Sequence, residues 1–124
     1  MTRDEKYLNL MNQWLILKQE GKSIEGFLLQ KGYHRIAIYG MGIYGRHLVR
    51  ELQGTAIAIA YGIDQKKMIS YDGIEMIQPA GNMPSVDSIV NTVIHDHTKI
   101  KKFLSQMTQA PVLSLEDIIF ESYG

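Results

Sequence analysis

Three glycines in a Gly-x-Gly-x-x-Gly pattern, Gly40, Gly42 and Gly45, are the residues with the clearest chemistry in this chain. The pattern follows a short apolar stretch and opens an amphipathic segment, which places it in a strand-to-helix turn. There the first glycine permits the tight turn, the second lets the backbone approach a pyrophosphate, and the third lets the helix pack closely. The amides of the first helical turn, which includes Ile43 and Tyr44, would bind phosphates together with the positive end of the helix dipole.

A carboxylate follows the glycines at the distance that a dinucleotide site requires. Asp64 comes after the second predicted strand and lies 19 residues beyond Gly45, close to the usual spacing of about 20 residues. At that point it would accept hydrogen bonds from ribose hydroxyls. Thr92 and His95 lie near the end of a later predicted strand, where the strand order reverses, and by their position could line the same cleft. A plainer interpretation stays open, in which the glycines serve only the turn and Asp64 caps a loop.

Other polar side chains near the pattern have several interpretations. Arg46, in the first helical turn, would either reach a phosphate or lie exposed. Lys66 and Lys67 would suit a ribose 2′-phosphate, which an acid at the ribose position argues against. His95 and His97 have an i, i+2 spacing that could serve a metal, and His95 could act as a general acid or base, but no third ligand or catalytic partner accompanies them. We expect both histidines to lie in a solvated loop.

The signatures of several enzyme classes are missing. The chain has no Tyr-x-x-x-Lys pair, no Gly-x-x-x-x-Gly-Lys-[Ser/Thr], no His-Glu-x-x-His and no cysteine. A chain of 124 residues has room for one cofactor domain and little else. We therefore predict no catalytic residue, no metal site and no catalytic activity of the chain on its own.

The periodicity of apolar residues predicts the elements that position these residues. Helical segments alternate with short β-prone runs from residue 35 onward, which is typical of an α/β fold with an open parallel sheet. We predict a Rossmann-like sheet of about five strands in the order 3-2-1-4-5, with extra N-terminal helices. The predicted strands are Arg35–Tyr39, Ala56–Tyr61, Ile74–Ile77, Ser88–Ile94 and Pro111–Leu113, and the predicted helices are Asp4–Glu20, Ile24–Lys31, Gly42–Gln53, His97–Met107 and a last one from about Leu115 to Phe120.

The N-terminal segment, residues 1–21, is predicted to form an amphipathic helix that precedes a nucleotide-binding domain over residues 22–124. Its apolar stripe consists of residues at three- and four-residue spacing: Tyr7, Leu8, Met11, Trp14 and Leu15. Leu10, Ile16 and Leu17 widen the stripe beyond what one buried face needs. Either two surfaces cover this helix or one side meets a partner chain. A homodimer through the N-terminal helix is therefore one expectation.

Composition and charge exclude several classes of protein. Hydrophobic residues make up 45% and charged residues 21%, and 13 basic residues balance 13 acidic ones. A nucleic-acid-binding protein usually carries a basic excess, so we expect no nucleic-acid partner. The longest apolar stretch, 56–63, is far shorter than the roughly 20 residues that span a bilayer, and the polar N-terminus does not resemble a signal peptide. We expect a cytoplasmic protein that does not bind membranes.

Four segments together resemble a known group of proteins: Arg35–Arg46, Tyr61–Asp64, Asp87–Val93 and Leu113–Asp117. They resemble small Rossmann-like domains of bacterial polysaccharide biosynthesis, and are similar to the nucleotide-sugar-binding domain of sugar acetyltransferases and to the first subdomain of nucleotide-sugar dehydratases. The resemblance covers residues 22–121.

The resemblance implies a phosphate loop at the three glycines, Asp64 near the ribose or base, and Thr92 and Val93 beside the cleft. It also implies NAD or a nucleotide sugar as the ligand, and a glycosyltransferase or sugar-modifying enzyme as a partner. We therefore expect a nucleotide-binding module of polysaccharide or nucleotide-sugar metabolism. Two alternatives are a fragment of an NAD-dependent oxidoreductase and a non-catalytic dimerisation domain with a vestigial glycine loop.

Overall fold

A computed structural model describes residues 1–123, so that Gly124, the last residue of the predicted domain, lies outside the described residues. In this range the chain forms one open six-stranded sheet and five α-helices. The helices are α1 (Arg3–Gln19), α2 (Ile24–Gln30), α3 (Ile43–Leu52), α4 (His97–Ser105) and α5 (Leu115–Tyr123), and the strands are β1 (Arg35–Tyr39), β2 (Ala58–Ile63), β3 (Ser70–Tyr71), β4 (Ile74–Ile77), β5 (Ser88–Asn91) and β6 (Val112–Ser114).

The α/β class is confirmed, whereas the strand order differs from the prediction. The order is β3-β4-β2-β1-β5-β6, and all neighbours are parallel except β3 and β4. The difference arises because a turn at Asp72 and Gly73, both at positive φ, folds Ser70–Tyr71 back onto β4 as an antiparallel edge strand. Apart from this added strand, the other five follow one another in the expected sequence, with β1 between β2 and β5.

Several predicted strand limits are wrong: β2 ends at Ile63 rather than Tyr61, and β6 is Val112–Ser114 rather than Pro111–Leu113. At two further limits, a side chain binds a backbone amide. The second strand begins at Ala58 rather than Ala56, since the Ala56 amide donates to Glu25 Oε2 at 2.7 Å. The strand predicted to reach Ile94 ends at Asn91, whose side chain accepts from the Val93 amide at 2.9 Å. Thr92 and Val93 thus lie just after β5, before a 3₁₀ turn over Ile94–Asp96.

Alternate residues of the central strands supply two separate cores, one on each face of the sheet. Ile36, Ile38 and Val90 pack against the buried sides of α1, α2, α3 and α5. Ala37 and Ile89 face the opposite way and pack with Leu104 and Ile100 of α4. Because both faces are covered by helices, the central strands are apolar on both sides, as in other buried parallel sheets.

Helix α1 packs on this same domain through one of its faces. Leu10, Trp14 and Leu17 are buried and belong to the core that α2, α3 and α5 share. Leu8 and Leu15 lie on another side, with 71% and 56% of their surface exposed. The predicted face is thus partly wrong: Leu10 and Leu17, which were expected only to widen the stripe, are buried, whereas Leu8 and Leu15 face solvent.

A single carboxylate, that of Glu51 in α3, joins the first three helices. It accepts hydrogen bonds from Trp14 Nε1 at 2.7 Å and from the Ile24 amide at 2.8 Å. The ammonium of Lys18 lies 3.7 Å away, and the Glu51 side chain is only 7% exposed. Loss of the carboxylate would leave a buried indole N–H and a helix-end amide without partners.

Replacing this carboxylate should therefore destabilise the fold. We expect Glu51→Ala to lower the free energy of unfolding by about 2–4 kcal/mol, because two buried donors lose their acceptor. The exposed Glu75 provides the control, and Glu75→Ala should change the same quantity by no more than about 0.5 kcal/mol. Urea denaturation of both variants measures the difference. Equal effects would contradict the role assigned to Glu51.

Candidate functional site

The chain leaves β1 through a turn that only glycine can form. Gly40 has φ +87°, and a Cβ atom there would lie 2.8 Å from Thr92 Oγ1 and 2.9 Å from Val93 Cγ2. The hydroxyl of Thr92 lies 2.9 Å from the carbonyl oxygens of both Tyr39 and Gly40, so its proton holds the turn against the end of β5. Thr92 is buried and stabilises the turn from its position just after the neighbouring strand β5.

Gly45 brings α3 into direct contact with this turn. A Cβ atom at this position would lie 2.0 Å from the carbonyl oxygen of Gly40, far inside any real contact distance. The close helix packing expected of the third glycine is therefore present, and it is the backbone of Gly40 that the helix approaches.

Gly42 differs from the other two glycines because the fold does not require it. Its backbone has φ −82° and ψ −157°, which any residue adopts, and a Cβ atom there would meet nothing within 4 Å. Gly42 is the N-cap of α3 and supplies no side-chain hydrogen bond to the helix amides. The first turn of α3 therefore presents its free N–H groups beside an open space.

That open space is a cavity of about 360 Å³ at the carboxyl ends of β1 and β5. Five of the eight predicted site residues line it: Gly42, Ile43, Tyr44, Thr92 and Val93. Its volume falls within the roughly 300–1,000 Å³ of small-molecule sites. The structure thus brings together the glycine turn and the end of β5, as the predicted switch point requires.

Asp64 is not among the residues that line this cavity. Its Oδ2 accepts from the Met41 amide at 2.9 Å, and its Oδ1 accepts from the Lys66 amide at 2.9 Å. The carboxylate therefore fixes the glycine loop from the side of β2. An ionised carboxylate has about four acceptor positions, so two backbone amides leave room for a further donor. Its contact with a ribose stays a prediction.

Arg46 also holds the glycine loop. Its Nε donates to the Met41 carbonyl at 3.1 Å, and its guanidinium lies 5.1 Å from the ring centre of Tyr71 in β3. The predicted alternatives for Arg46 were a phosphate contact and an exposed helix surface. The second alternative is confirmed, because Arg46 is exposed, and its side chain also bridges the loop and the added edge strand.

Helix α1 supplies a wall of the cavity, which the sequence did not indicate. Arg3, Asp4 and Tyr7 line it beside the glycine turn. The hydroxyl of Tyr44 donates to the Tyr7 carbonyl at 2.9 Å, and the two rings pack with centroids 4.8 Å apart. Tyr7 was predicted to be part of the apolar stripe. The available signal was its hydroxyl, since a tyrosine on a buried face usually finds a polar partner.

That partner is His95, whose Nδ1 lies 2.7 Å from the Tyr7 hydroxyl. On the other side of the ring, Nε2 lies 3.4 Å from Asp96 Oδ2. Burial raises the pKa of Tyr7 above its usual value of 10.0, and burial likewise raises the pKa of Tyr44. Both phenols are therefore protonated at neutral pH.

The expectation that His95 and His97 lie in a solvated loop is wrong: His95 belongs to the 3₁₀ turn, His97 begins α4, and both are partly buried. The two histidines have separate surroundings. His97 Nδ1 lies 3.0 Å from Asn91 Nδ2, whereas His95 faces Tyr7. Within residues 1–123, no three histidine, aspartate or glutamate side chains converge in an arrangement that could hold a metal ion. Burial lowers the pKa of His97 below its usual value of 6.5.

A larger, open cavity of about 750 Å³ lies between α2 and the end of α5, lined by residues such as Lys22, Phe27, Lys31 and Glu121. None of the predicted site residues lines it. Size alone therefore does not single out the candidate site, which rests on the convergence of the glycine turn with the end of β5.

Comparison with known proteins finds no matching family model and no significant match among curated proteins. None of the helices in residues 1–123 combines the length and apolar character that crossing a bilayer requires.

The contrast between two glycines yields a stability test. We expect Gly45→Ala to lower the free energy of unfolding by about 1–3 kcal/mol, because its Cβ would overlap the Gly40 carbonyl. Gly42→Ala should change it by about 0.5 kcal/mol or less, because its Cβ enters open space. Chemical denaturation compares the two variants, and a Gly42→Ala variant as unstable as Gly45→Ala would refute this geometry.

The lowered pKa of His97 predicts a loss of stability in mild acid. The unfolded chain binds a proton at this residue near pH 6.5, whereas the folded chain binds it only at lower pH. Proton binding at His97 therefore leaves the free energy of unfolding unchanged above pH 6.5 and lowers it progressively below that pH. Between about pH 7.5 and about pH 5.5, the melting temperature of the parent should fall more than that of His97→Asn. An equal fall in both proteins would contradict this assignment.

Proposed function

We propose that this protein is a Rossmann-like nucleotide-binding module, which binds a nucleotide sugar or NAD and serves polysaccharide or nucleotide-sugar metabolism. The observation that carries the proposal is Gly42. Neither its backbone angles nor its neighbours require a glycine, yet a side chain there would project toward the cavity that the glycine turn borders. A ligand that approaches the backbone closely explains why this position lacks a side chain.

The topology supports the same proposal. Strand β1 lies between β2 and β5. The glycine turn follows β1 and Thr92 follows β5, and the next strands in the chain, β2 and β6, lie on opposite sides of this pair. In open α/β sheets, ligands bind outside the carboxyl ends of the strands at such a switch point.

The surroundings of the turn support the binding of an anion. The first turn of α3 has no side-chain cap, so its amides are available to phosphate oxygens. Three side chains from other elements hold the loop in place: Thr92 contacts the Gly40 carbonyl, Asp64 accepts from the Met41 amide, and Arg46 donates to the Met41 carbonyl. A loop fixed before the ligand arrives loses little conformational entropy on binding.

The function proposed is binding, with any chemistry supplied by a partner such as a glycosyltransferase or a sugar-modifying enzyme. The imidazole of His95 lines the cavity, and its polar partners are Tyr7 and Asp96. These contacts hold the imidazole in the wall of the cavity. An NAD-dependent oxidoreductase would need nicotinamide against this wall.

A panel of nucleotides tests the proposal by thermal shift. Purified protein is mixed with NAD, with NADP, and with UDP, ADP, GDP and the sugar conjugates of these three diphosphates. A ligand at 100 times its dissociation constant stabilises the fold by about 2.7 kcal/mol, which should raise the melting temperature by about 10 °C. Gly42→Val should abolish the shift, because its side chain occupies the place of the phosphates.

The matched control is Gly81→Val, a glycine in a loop whose Cβ also enters open space. It should keep the full shift. A parent protein that no nucleotide stabilises, or a Gly42→Val variant that responds like the parent, would overturn the proposal. If the unresponsive parent also formed dimers at rising concentration, the exposed Leu8 and Leu15 of α1 would favour the dimerisation domain instead.

A further inference from the structure

The N-terminal end of α1 is built into the wall of the proposed nucleotide cleft. Arg3, Asp4 and Tyr7 face the same cavity as Gly42 and Thr92. Tyr44, which belongs to the glycine pattern itself, fixes the helix there by donating to the Tyr7 carbonyl. A ligand on the amides of α3 would therefore have α1 as its neighbour.

The Tyr7 hydroxyl and the His95 ring present polar atoms along this wall. They are 88 residues apart in the chain and 2.7 Å apart in the structure, and the contact is only partly buried. The Asp96 carboxylate near Nε2 favours the proton on that nitrogen, so that Nδ1 accepts from the phenol. The phenol oxygen also interacts with the backbone of Ile94 and His95, so a donor in the cavity would share its acceptor capacity with them.

The charges of the wall indicate what kind of group would contact this pair. Among the described residues that line the cavity, Arg3 and Asp4 carry opposite formal charges, and the phenol of Tyr7 is protonated. The formal charges of these two lining residues therefore balance. The wall therefore suits an uncharged group with hydroxyls, which can donate to the phenol oxygen.

We propose that Tyr7 and His95 contact the part of a bound nucleotide that lies beyond its phosphates, and that α1 thereby selects among ligands that share one nucleoside diphosphate. This inference rests on the proposed function. It gives α1 a role in recognition, in addition to its packing through Leu10, Trp14 and Leu17.

Calorimetric titration of paired probes tests the inference. The pairs are UDP with UDP-glucose, and ADP with ADP-glucose or NAD; within each pair only the group beyond the phosphates differs. Tyr7→Phe keeps the ring that packs on Tyr44 and removes the hydroxyl. It should weaken binding of the conjugate by about three- to tenfold, as expected for one lost hydrogen bond, and change binding of the bare diphosphate by less than about twofold.

Two further variants make the result decisive. Tyr33→Phe is the same chemical change at a residue that does not line the cleft, and it should leave both affinities unchanged. His95→Gln removes the other side chain of the pair and should likewise weaken binding of the conjugate alone. If Tyr7→Phe does not fold, this variant tests the inference in its place.

The outcomes separate this inference from the proposed function. If no probe binds the parent, the proposed function fails and this inference fails with it. If the probes bind and the variants weaken conjugate and diphosphate equally, or weaken neither, the nucleotide site stands and the recognition role of Tyr7 and His95 is wrong. A loss confined to the conjugate establishes the role.

Discussion

The contact between Gly45 and the Gly40 carbonyl is the constraint on which the rest of the structure depends. No side chain fits between the backbone of α3 and the end of β1, so the helix rests directly on the turn. The turn must then be held from other directions, and Thr92, Asp64 and Arg46 do so with hydrogen bonds to its carbonyls and amide. The open space next to Gly42 therefore lies beside the uncapped first turn of this helix.

Helix α3 is also the element to which the N-terminal helices attach. At its last turns, Glu51 accepts from Trp14 and from the amide that opens α2; at its first turn, Tyr44 donates to the Tyr7 carbonyl. The position of α1 at the cleft is thus a consequence of how α3 is placed. The same interactions that stabilise the fold bring Tyr7 against His95, so that a helix which packs the core also lines the proposed binding site.

The sequence predicted those features that depend on local patterns. The α/β class follows from alternating apolar segments, and the turn at Gly40 and the close packing at Gly45 follow from the glycine spacing with a strand before it and a helix after it. The start of α2 is likewise local, since the Ser23 hydroxyl accepts from the Gly26 amide. Contacts between distant residues were out of reach: the partners of Tyr7 and Glu51 lie on other elements, and the two-residue strand β3 exists only because β4 is there to pair with it. The spacing along the sequence predicted a role for Asp64. It could not show that the two carboxylate oxygens accept from the Met41 and Lys66 amides.

The central claim is that a nucleotide binds at the glycine turn, and amide chemical shifts test it most directly. Proton–nitrogen spectra of the labelled protein would be recorded during titration with UDP-glucose and with NAD. We predict that, with the probe that binds, the largest saturating shifts occur at Gly42, Ile43, Tyr44 and Gly45, with smaller ones at Thr92 and Val93. Saturating shifts centred on the cavity between α2 and α5, or spectra that neither these two probes nor the other nucleotides of the panel change, would contradict the account.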